Sequence, residues 1–462
     1  MGNEGTCLMP ERKFRMDDAP LNKFHFKITA LTFGANFSDG YTLGIIGMAL
    51  TLISPEMNLS PMWEGLIGSS ALIGLFFGSL LLGGLSDRIG RQKIFLTNFL
   101  VITIASILQF FVNDPATLFI LRLMIGLALG GDYAVGTTLL AEFAPRKYRG
   151  ALLASLNIVW TVGYVVANFV GFYMGKAGPE SWRWMLISAA IPAFIVLILR
   201  IGTPESPRWL ISKGRIEEAQ QIIRKHIGAN VEMDKNVGNS QANARFLDLF
   251  SKRLWKRTAF GGLFYVCQVI PYFAIYTFLP TILKYMGFTE NFSVYMWLNI
   301  FLLIGSIVGL WFLEKFTRRG FTIGSFTFLV VSMFMLSIIS NPLLAIIFFL
   351  VFTFVMAAAT NLEFVYPSEL FPTEIRGSGI GVVTAISRIG AAIGTFLLPV
   401  SMSSFGLQAT MGGMAVILLI GTIISIAWAP ETKALSLSEV NSTSDSANEI
   451  DESLHSSVKE NL

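Results

Sequence analysis

Twelve apolar runs, each about 20 residues long, constrain this chain more than any other feature. A helix of that length crosses the ~30 Å hydrocarbon core of a bilayer. Inside lipid the backbone must satisfy its own hydrogen bonds, which leaves only helices or closed barrels. The runs fall at 27–52, 63–85, 94–112, 116–140, 151–175, 184–202, 258–284, 291–313, 322–340, 342–364, 378–403 and 407–429. They predict an all-α membrane protein with twelve transmembrane helices. Only 14% of the residues are charged, against about 25% in a soluble domain. With both termini inside, 28 of the 34 Lys and Arg residues fall in inner segments and three, Lys176, Arg183 and Lys284, in outer loops. The excess of basic residues on the inner side predicts a multi-pass protein of the cell membrane with both termini cytoplasmic.

The chain also repeats itself. Glu142, Pro145, Arg149 and Gly150 recur as Glu369, Pro372, Arg376 and Gly377, an offset of 227. Asp87, Arg88 and Arg91 stand over Glu314, Lys315 and Arg318 at the same offset, and Pro204-Glu205-Ser206 over Pro430-Glu431-Thr432 at 226. Three matches at nearly one offset read as a duplication, and predict two pseudo-symmetric six-helix bundles around a central cavity. The expected division is a cytoplasmic N-terminal segment at 1–26, an N-terminal bundle at 27–202, a cytoplasmic linker at 203–257 with eleven Lys or Arg, a C-terminal bundle at 258–429 and a disordered tail at 430–462. Glycines four apart within the runs (Gly74/Gly78, Gly126/Gly130, Gly171/Gly175, Gly305/Gly309, Gly390/Gly394) allow helices to approach closely.

Charges inside apolar runs mark function. At 1.5 Å per residue, Asp39 falls near the middle of span 1 and Arg388 near the middle of span 11. Arg122 lies near the outer end of span 4, with Asp132 just past its middle. A carboxylate in a low-dielectric cavity is placed to load and unload a proton. Asp39 is the first candidate for that role and Asp132 the second. A guanidinium stays charged and grips carboxylates with two hydrogen bonds, so Arg388 would favour an anion. In span 7, Gln268, Tyr272 and Tyr276 share one face at i, i+4, i+8, and Pro271 and Pro280 are expected to kink the helix. No nucleophile–base set, phosphate loop or metal cluster is recognisable, so neither an enzyme nor a metal or other cofactor is expected. The Lys and Arg sit in loops between spans and imply no nucleic-acid partner. Cys7 and Cys267 make no disulfide framework.

SDRIGRQK from Ser86, Arg122 with Gly126 and Gly130, AEFAPRKYRG, SELFPTEIRG, PESPRWL and PETK together resemble the major facilitator superfamily of secondary transporters. They look like the branch shared by sugar porters, organic-ion transporters and metabolite:proton symporters. The resemblance implies transport by alternating access. It implies that Asp87, Arg88, Arg91, Glu142, Arg149, Glu314, Arg318, Glu369 and Arg376 form a cytoplasmic gate, a charge network holding the halves together in one state. It implies that Arg122 and Asp39 form a switchable pair. Asp39 matches the first acid of the aromatic-acid symporters' DGxD pattern, whose second acid is Thr42 here, and GGDYAVG around Asp132 is similar to the phosphate porters. A span 11 Arg looks like the organic-anion branch. Sugar porters place QQxSGxN in span 7, of which only Gln268 survives.

The expected function is therefore proton-coupled symport of a small organic acid of the aromatic or pyridine carboxylate type. Asp39, Arg122 and Asp132 would serve the proton, and Arg388, Gln268, Tyr272, Tyr276 and Tyr164 the substrate. A monomer surrounded by lipid is expected. Sugar or polyol symport, phosphate symport, sodium in place of the proton, and a membrane sensor that binds without transporting stay open at this point.

Overall fold

A computed structural model of the chain describes residues 14–15, 20–228, 231–232, 249–251, 254–288, 292–371 and 376–432. The side chains of Asp87, Arg149 and Arg376 and the segments 233–248 and 433–462 lie outside the described residues. The expected tail, and three members of the expected gate, therefore fall there.

The helices begin where their sequences provide caps. Asn22 caps α1 (Lys23–Glu56) in a capping box with His25, and Ser60 caps α2 (Pro61–Ile89). α3 (Arg91–Leu108) follows Gly90 and has no side-chain cap of its own. Asp114 caps α4 (Pro115–Phe143), accepting from the Thr117 amide at 2.8 Å. α5 is Arg146–Gly175. Serine, aspartate or asparagine followed by proline is a strong start, because the side chain satisfies orphan amides and proline gives up only an N–H that would be orphaned anyway.

Span 6 is two helices, α6 (Ser181–Ser188) and α7 (Ala190–Arg200). Pro192 leaves the Ser188 carbonyl without a helical donor, which accounts for the break. The linker adds two short helices, α8 (Pro207–Ser212) and α9 (Ile216–Ile222). Span 7 is again broken, into α10 (Trp255–Thr277) and α11 (Leu279–Tyr285), because Pro280 has no N–H for the Tyr276 carbonyl. α12 (Phe292–Lys315), α13 (Arg318–Ile338) and α14 (Pro342–Leu370) follow, with Asn341-Pro342 repeating Asp114-Pro115 at offset 227.

α15 (Arg376–Trp428) runs 53 residues, but Gly406 inside it has φ 82° and ψ 169°. A straight helix of that length would measure about 80 Å, more than twice a bilayer core. The turn at Gly406 makes it two spans. Eleven described helices are long and apolar enough to cross a membrane, and with α15 counted twice they make twelve. The protein is an all-helical, multi-pass membrane protein. Among the described residues the one small departure is a two-residue parallel pairing of Phe14–Arg15 with Val231–Glu232. That pairing, and the Asn22 amide donating to the His226 and Ile227 carbonyls at 2.8 Å each, tie the N-terminal segment to the linker.

Helices pack in matching pairs: α2 on α4 and α12 on α14, α1 on α5 and α10 on α15, α3 on α4 and α13 on α14. The glycines make these crossings possible. A Cβ on Gly74, Gly78, Gly126 or Gly130 would stand 2.0–2.4 Å from a backbone oxygen of the facing helix at the α2/α4 crossing. One on Gly305 or Gly309 would stand 2.4–2.5 Å away at α12/α14. Between the two sets of helices, α2 meets α15 and α5 meets α12. Large apolar side chains such as Phe77, Leu81, Phe334 and Leu343 remain exposed, as the lipid-facing surface of a membrane protein requires.

Candidate functional site

The end of the bundle bearing the linker (the linker end) and the opposite, far end are built differently. At the far end the halves touch. The Tyr164 hydroxyl donates to the Tyr276 carbonyl at 2.6 Å, the acceptor that Pro280 leaves free. Tyr295 donates to Asn168. Gly47 and Gly65 lie so close to the other half that a Cβ would come within 2.5 Å of the Thr277 oxygen and 2.2 Å of the Phe396 oxygen. Midway along, Asn157 donates to Thr360 at 3.3 Å and to Asn361 at 3.1 Å.

Around that midpoint lie two small cavities. One, of about 10 Å³, is lined by Leu43, Leu72, Arg122, Tyr164, Tyr276 and Thr277 among others. The second, of about 40 Å³, lies toward the linker end between Asn36, Tyr133 and Asn157 of the first half and Tyr265, Thr360, Glu363 and Arg388 of the second. Trp160, Tyr272 and Phe273 line both and separate them. A site for a small metabolite measures several hundred Å³, so the halves are drawn together around a space for a few waters.

Arg388 is 6% exposed. Its guanidinium lies over the rings of Tyr133, at 5.3 Å, and Phe273, at 5.8 Å. It makes no ion pair and donates no hydrogen bond among the described residues, and its Nε is buried without a partner. It does not neutralise Asp39 or Asp132. Glu363, which sequence reasoning missed, faces the same cavity with Oε1 buried and unpartnered. The Tyr265 hydroxyl stands beside it.

Asp39 and Asp132 are each 1% exposed, and their carboxyl groups stand beside each other, α1 against α4. Each has an oxygen, Oδ1, without a partner. The expected Arg122–Asp39 pair is not formed. Arg122 lies ten residues from Asp132, about 15 Å along α4, and its Nη2 reaches the Thr42 carbonyl at 3.4 Å, one turn short of Asp39. The cation within electrostatic reach of Asp132 is instead Arg200. Arg200 is fully buried, stacked on Phe95 at 3.4 Å from the ring centroid, and its three guanidinium nitrogens have no hydrogen-bond acceptor.

The remaining expected substrate residues divide. Tyr272 lines both cavities, Tyr164 and Tyr276 only the far one. Gln268 is fully buried, lines neither cavity, and both its amide atoms are unpartnered.

At the linker end, Arg91 pairs with Glu142, and Ser206 donates to Glu142 at 2.5 Å. Glu205 accepts from the Arg91 and Gln92 amides at 3.1–3.2 Å, supplying the cap that Gly90 cannot give α3. The second half repeats this. Arg318 pairs with Glu369 at 3.1 Å, Thr432 donates to Glu369 at 2.5 Å, and Glu431 accepts from the Arg318 and Arg319 amides at 3.0 and 3.1 Å. These contacts hold helices together within a half; the side chains of Asp87, Arg149 and Arg376, further acidic and basic members of the expected gate, lie outside the described residues. Arg88 and Glu314 are exposed.

A family model described as "Sugar (and other) transporter" matches residues 27–443. The chain is 48% identical over 424 residues to the inner membrane metabolite transport protein YgcS of Escherichia coli (strain K12), covering 92% of this chain and 95% of that protein. It is 31% identical to the arabinose-proton symporter of Bacillus subtilis (strain 168), covering 87% and 91%. It is 27% identical to the niacin transporter NiaP of Acinetobacter baylyi, covering 81% and 87%. Among solved structures, the partially occluded inward open conformation of the xylose transporter XylE from E. coli superposes with a TM-score of 0.78 at 20% identity, covering 90% of this chain and 100% of that one; this likeness establishes the major facilitator fold.

Proposed function

The chain belongs to the sugar (and other) transporter family, a family of transporters and not of enzymes, and from that premise we propose that it carries a small organic acid anion across the cell membrane together with a proton. The observation that carries this reading is Arg388. A guanidinium cannot shed its charge, and an unpaired buried charge is costly. This one lies in the cavity between the halves with no acceptor among the described residues. A planar carboxylate would satisfy it, with Trp160, Tyr272 and Phe273 lining the same cavity as aromatic neighbours for a ring. The similarity to a niacin transporter supports a pyridine or aromatic carboxylate.

In this reading Asp39 and Asp132 hold the coupled proton. Two adjacent carboxyls in a low dielectric do not both ionise readily, so they share a proton. Arg122 is the cation toward which Asp39 would turn once that proton leaves. The linker end faces the cytoplasm, as the 28-to-3 division of basic residues indicates. The proposed division runs as the sequence suggests, with six-helix units at 27–202 and 258–429. The two linker-end clusters keep each unit rigid as it rocks.

A second reading, sugar or polyol symport, is favoured by the amide and hydroxyl groups of Asn36, Asn157 and Thr360 on the same cavity and by the similarity to an arabinose-proton symporter. Uptake into proteoliposomes under an imposed pH gradient, alkaline inside, separates the two. Labelled nicotinate and benzoate should accumulate and labelled arabinose should not, with empty liposomes as the control for weak-acid leak. Arg388→Ala should raise the half-saturating concentration at least tenfold, since a lost hydrogen bond to a charged group costs about 1.5–3 kcal/mol. Asp39→Asn should abolish accumulation while leaving substrate exchange. Arabinose uptake in place of the acids would overturn the proposal.

A further inference from the structure

The cavity holds a basic and an acidic side chain that do not meet. Arg388 and Glu363 both line it. They lie within electrostatic reach of each other, yet no ion pair joins them. Each keeps a buried polar atom without a partner, Nε of Arg388 and Oε1 of Glu363. Arg388 does not neutralise the Asp39–Asp132 pair in the other half, and among the described residues no Lys or Arg forms an ion pair with Glu363. Each has an aromatic neighbour: Tyr133 and Phe273 against the guanidinium, Tyr265 beside the carboxyl. Trp160, Tyr272 and Phe364 add further aromatic wall, beside the polar Asn36, Asn157 and Thr360.

We infer that the substrate is a zwitterion, a small ring compound with a carboxylate for Arg388 and a positively charged nitrogen for Glu363. The inference rests on the organic-acid reading and narrows it. With Glu363 ionised, a plain carboxylate bound to Arg388 would bring a second negative charge up to it in a low dielectric, where like charges repel strongly. A ligand carrying both charges satisfies both side chains at once. Its cationic end would also lie among aromatic faces, which attract cations through their quadrupoles. A sugar would leave both charges unanswered. Glu363 thereby becomes a specificity residue that favours the zwitterion over simple acids, which bind more weakly through repulsion as well as a missing contact.

The test is ligand binding to the purified full-length protein, by calorimetry and thermal shift, with three probes at one pH. N-methylnicotinate carries a carboxylate and a permanent pyridinium, 3-methylbenzoate the carboxylate alone, and L-arabinose neither. The permanent charge keeps ring protonation out of the comparison. The wild-type protein should bind N-methylnicotinate at least tenfold more tightly than 3-methylbenzoate. Glu363→Gln keeps the shape of the side chain. It should weaken N-methylnicotinate at least tenfold while leaving 3-methylbenzoate equal or tighter, so the preference itself reports the contact and a folding defect would not mimic it. Arg388→Ala should weaken both acids. Equal binding of the two acids, unmoved by Glu363→Gln, would overturn the zwitterion and leave the organic-acid reading standing. Loss of proton coupling in Glu363→Gln with the preference intact would also overturn it, making Glu363 a proton carrier instead. Binding of neither acid overturns the inference for ring compounds, and binding of arabinose in their place overturns the organic-acid reading as well.

Discussion

Tyr164→Phe removes one hydroxyl and nothing else, and the structure says what that hydroxyl does. It donates to the Tyr276 carbonyl at 2.6 Å, across from one half to the other. The residue four places on from Tyr276 is Pro280, so this carbonyl has no helical donor. With the far end closed, the substitution strands a buried acceptor at a cost of about 1–3 kcal/mol. With the far end open, water replaces the hydroxyl and the cost falls away. The whole difference therefore acts on the equilibrium between the two states, shifting it about 5- to 150-fold toward the far-end-open one. Single cysteines in a background lacking Cys7 and Cys267 read the shift. Leu72→Cys lines the far cavity and Phe364→Cys the linker-side one. Tyr164→Phe should raise the rate of maleimide labelling at the first at least fivefold and lower it at the second, in the absence of substrate. Gly65→Ala should act in the same direction, because its Cβ would meet the Phe396 oxygen at 2.2 Å only while the far end is closed. Unchanged labelling at both positions would refute the reasoning, and a raised half-saturating concentration without any change in labelling would return Tyr164 to the substrate site.

Two further outcomes follow from packing and charge. Gly78→Ala places a Cβ 2.0 Å from the Leu127 oxygen, whereas Gly84→Ala on the same helix meets nothing within 4 Å; the first should lower thermal stability by about 1–3 kcal/mol or more and the second should not, as followed by unfolding in detergent. Arg91 and Glu142 pair with side chains only 14% and 11% exposed, so a double-mutant cycle with Arg91→Gln and Glu142→Gln should give a coupling of about 0.5–3 kcal/mol, with the Arg318–Glu369 pair behaving alike; zero coupling in both would show the pairs to be incidental.

The span count and the internal repeat were legible because the bilayer enforces both. Every crossing needs its own apolar run, and each copy keeps its turn chemistry, so Asp114-Pro115 and Asn341-Pro342 announce the same helix start twice. The glycine pairs were legible too, since a missing Cβ has few other uses at a four-residue spacing. What one sequence does not carry is azimuth. It placed Asp39 and Arg122 at compatible depths but could not say that Asp39 faces Asp132 across α1 and α4, or that Arg200 in α7 reaches toward that same acid. Glu363 escaped for another reason. It closes an apolar run ending at 364, where an acid reads as the start of a loop, but α14 continues to Leu370 and carries Glu363 inside. The linker-end charges were recognised as a set, yet nothing in their spacing distinguishes a contact within a half from one between halves.

The duplication and the chemistry do not coincide. At offsets of 226–227, Arg91, Glu142, Glu205 and Ser206 map onto Arg318, Glu369, Glu431 and Thr432, each with the same partners. The same offset carries Asp39 to Val266, Asp132 to Ala359, Glu363 back to Gly136 and Arg388 back to Thr161. The parts that hold each half together are doubled; the charged groups of the cavity are not. On the function proposed here, that asymmetry has a use. A rocking mechanism needs two rigid bodies, so both keep the clamp. Coupling needs the proton and the substrate to sense one another, and they do so best if the acids move with one body and the substrate's counter-charges with the other. Tyr133 is where they meet. It lies one residue from Asp132 on α4 and stacks under Arg388 of α15, so a change in charge on the carboxyl pair is felt one side chain away from the group that holds the substrate, and only while the halves are drawn together.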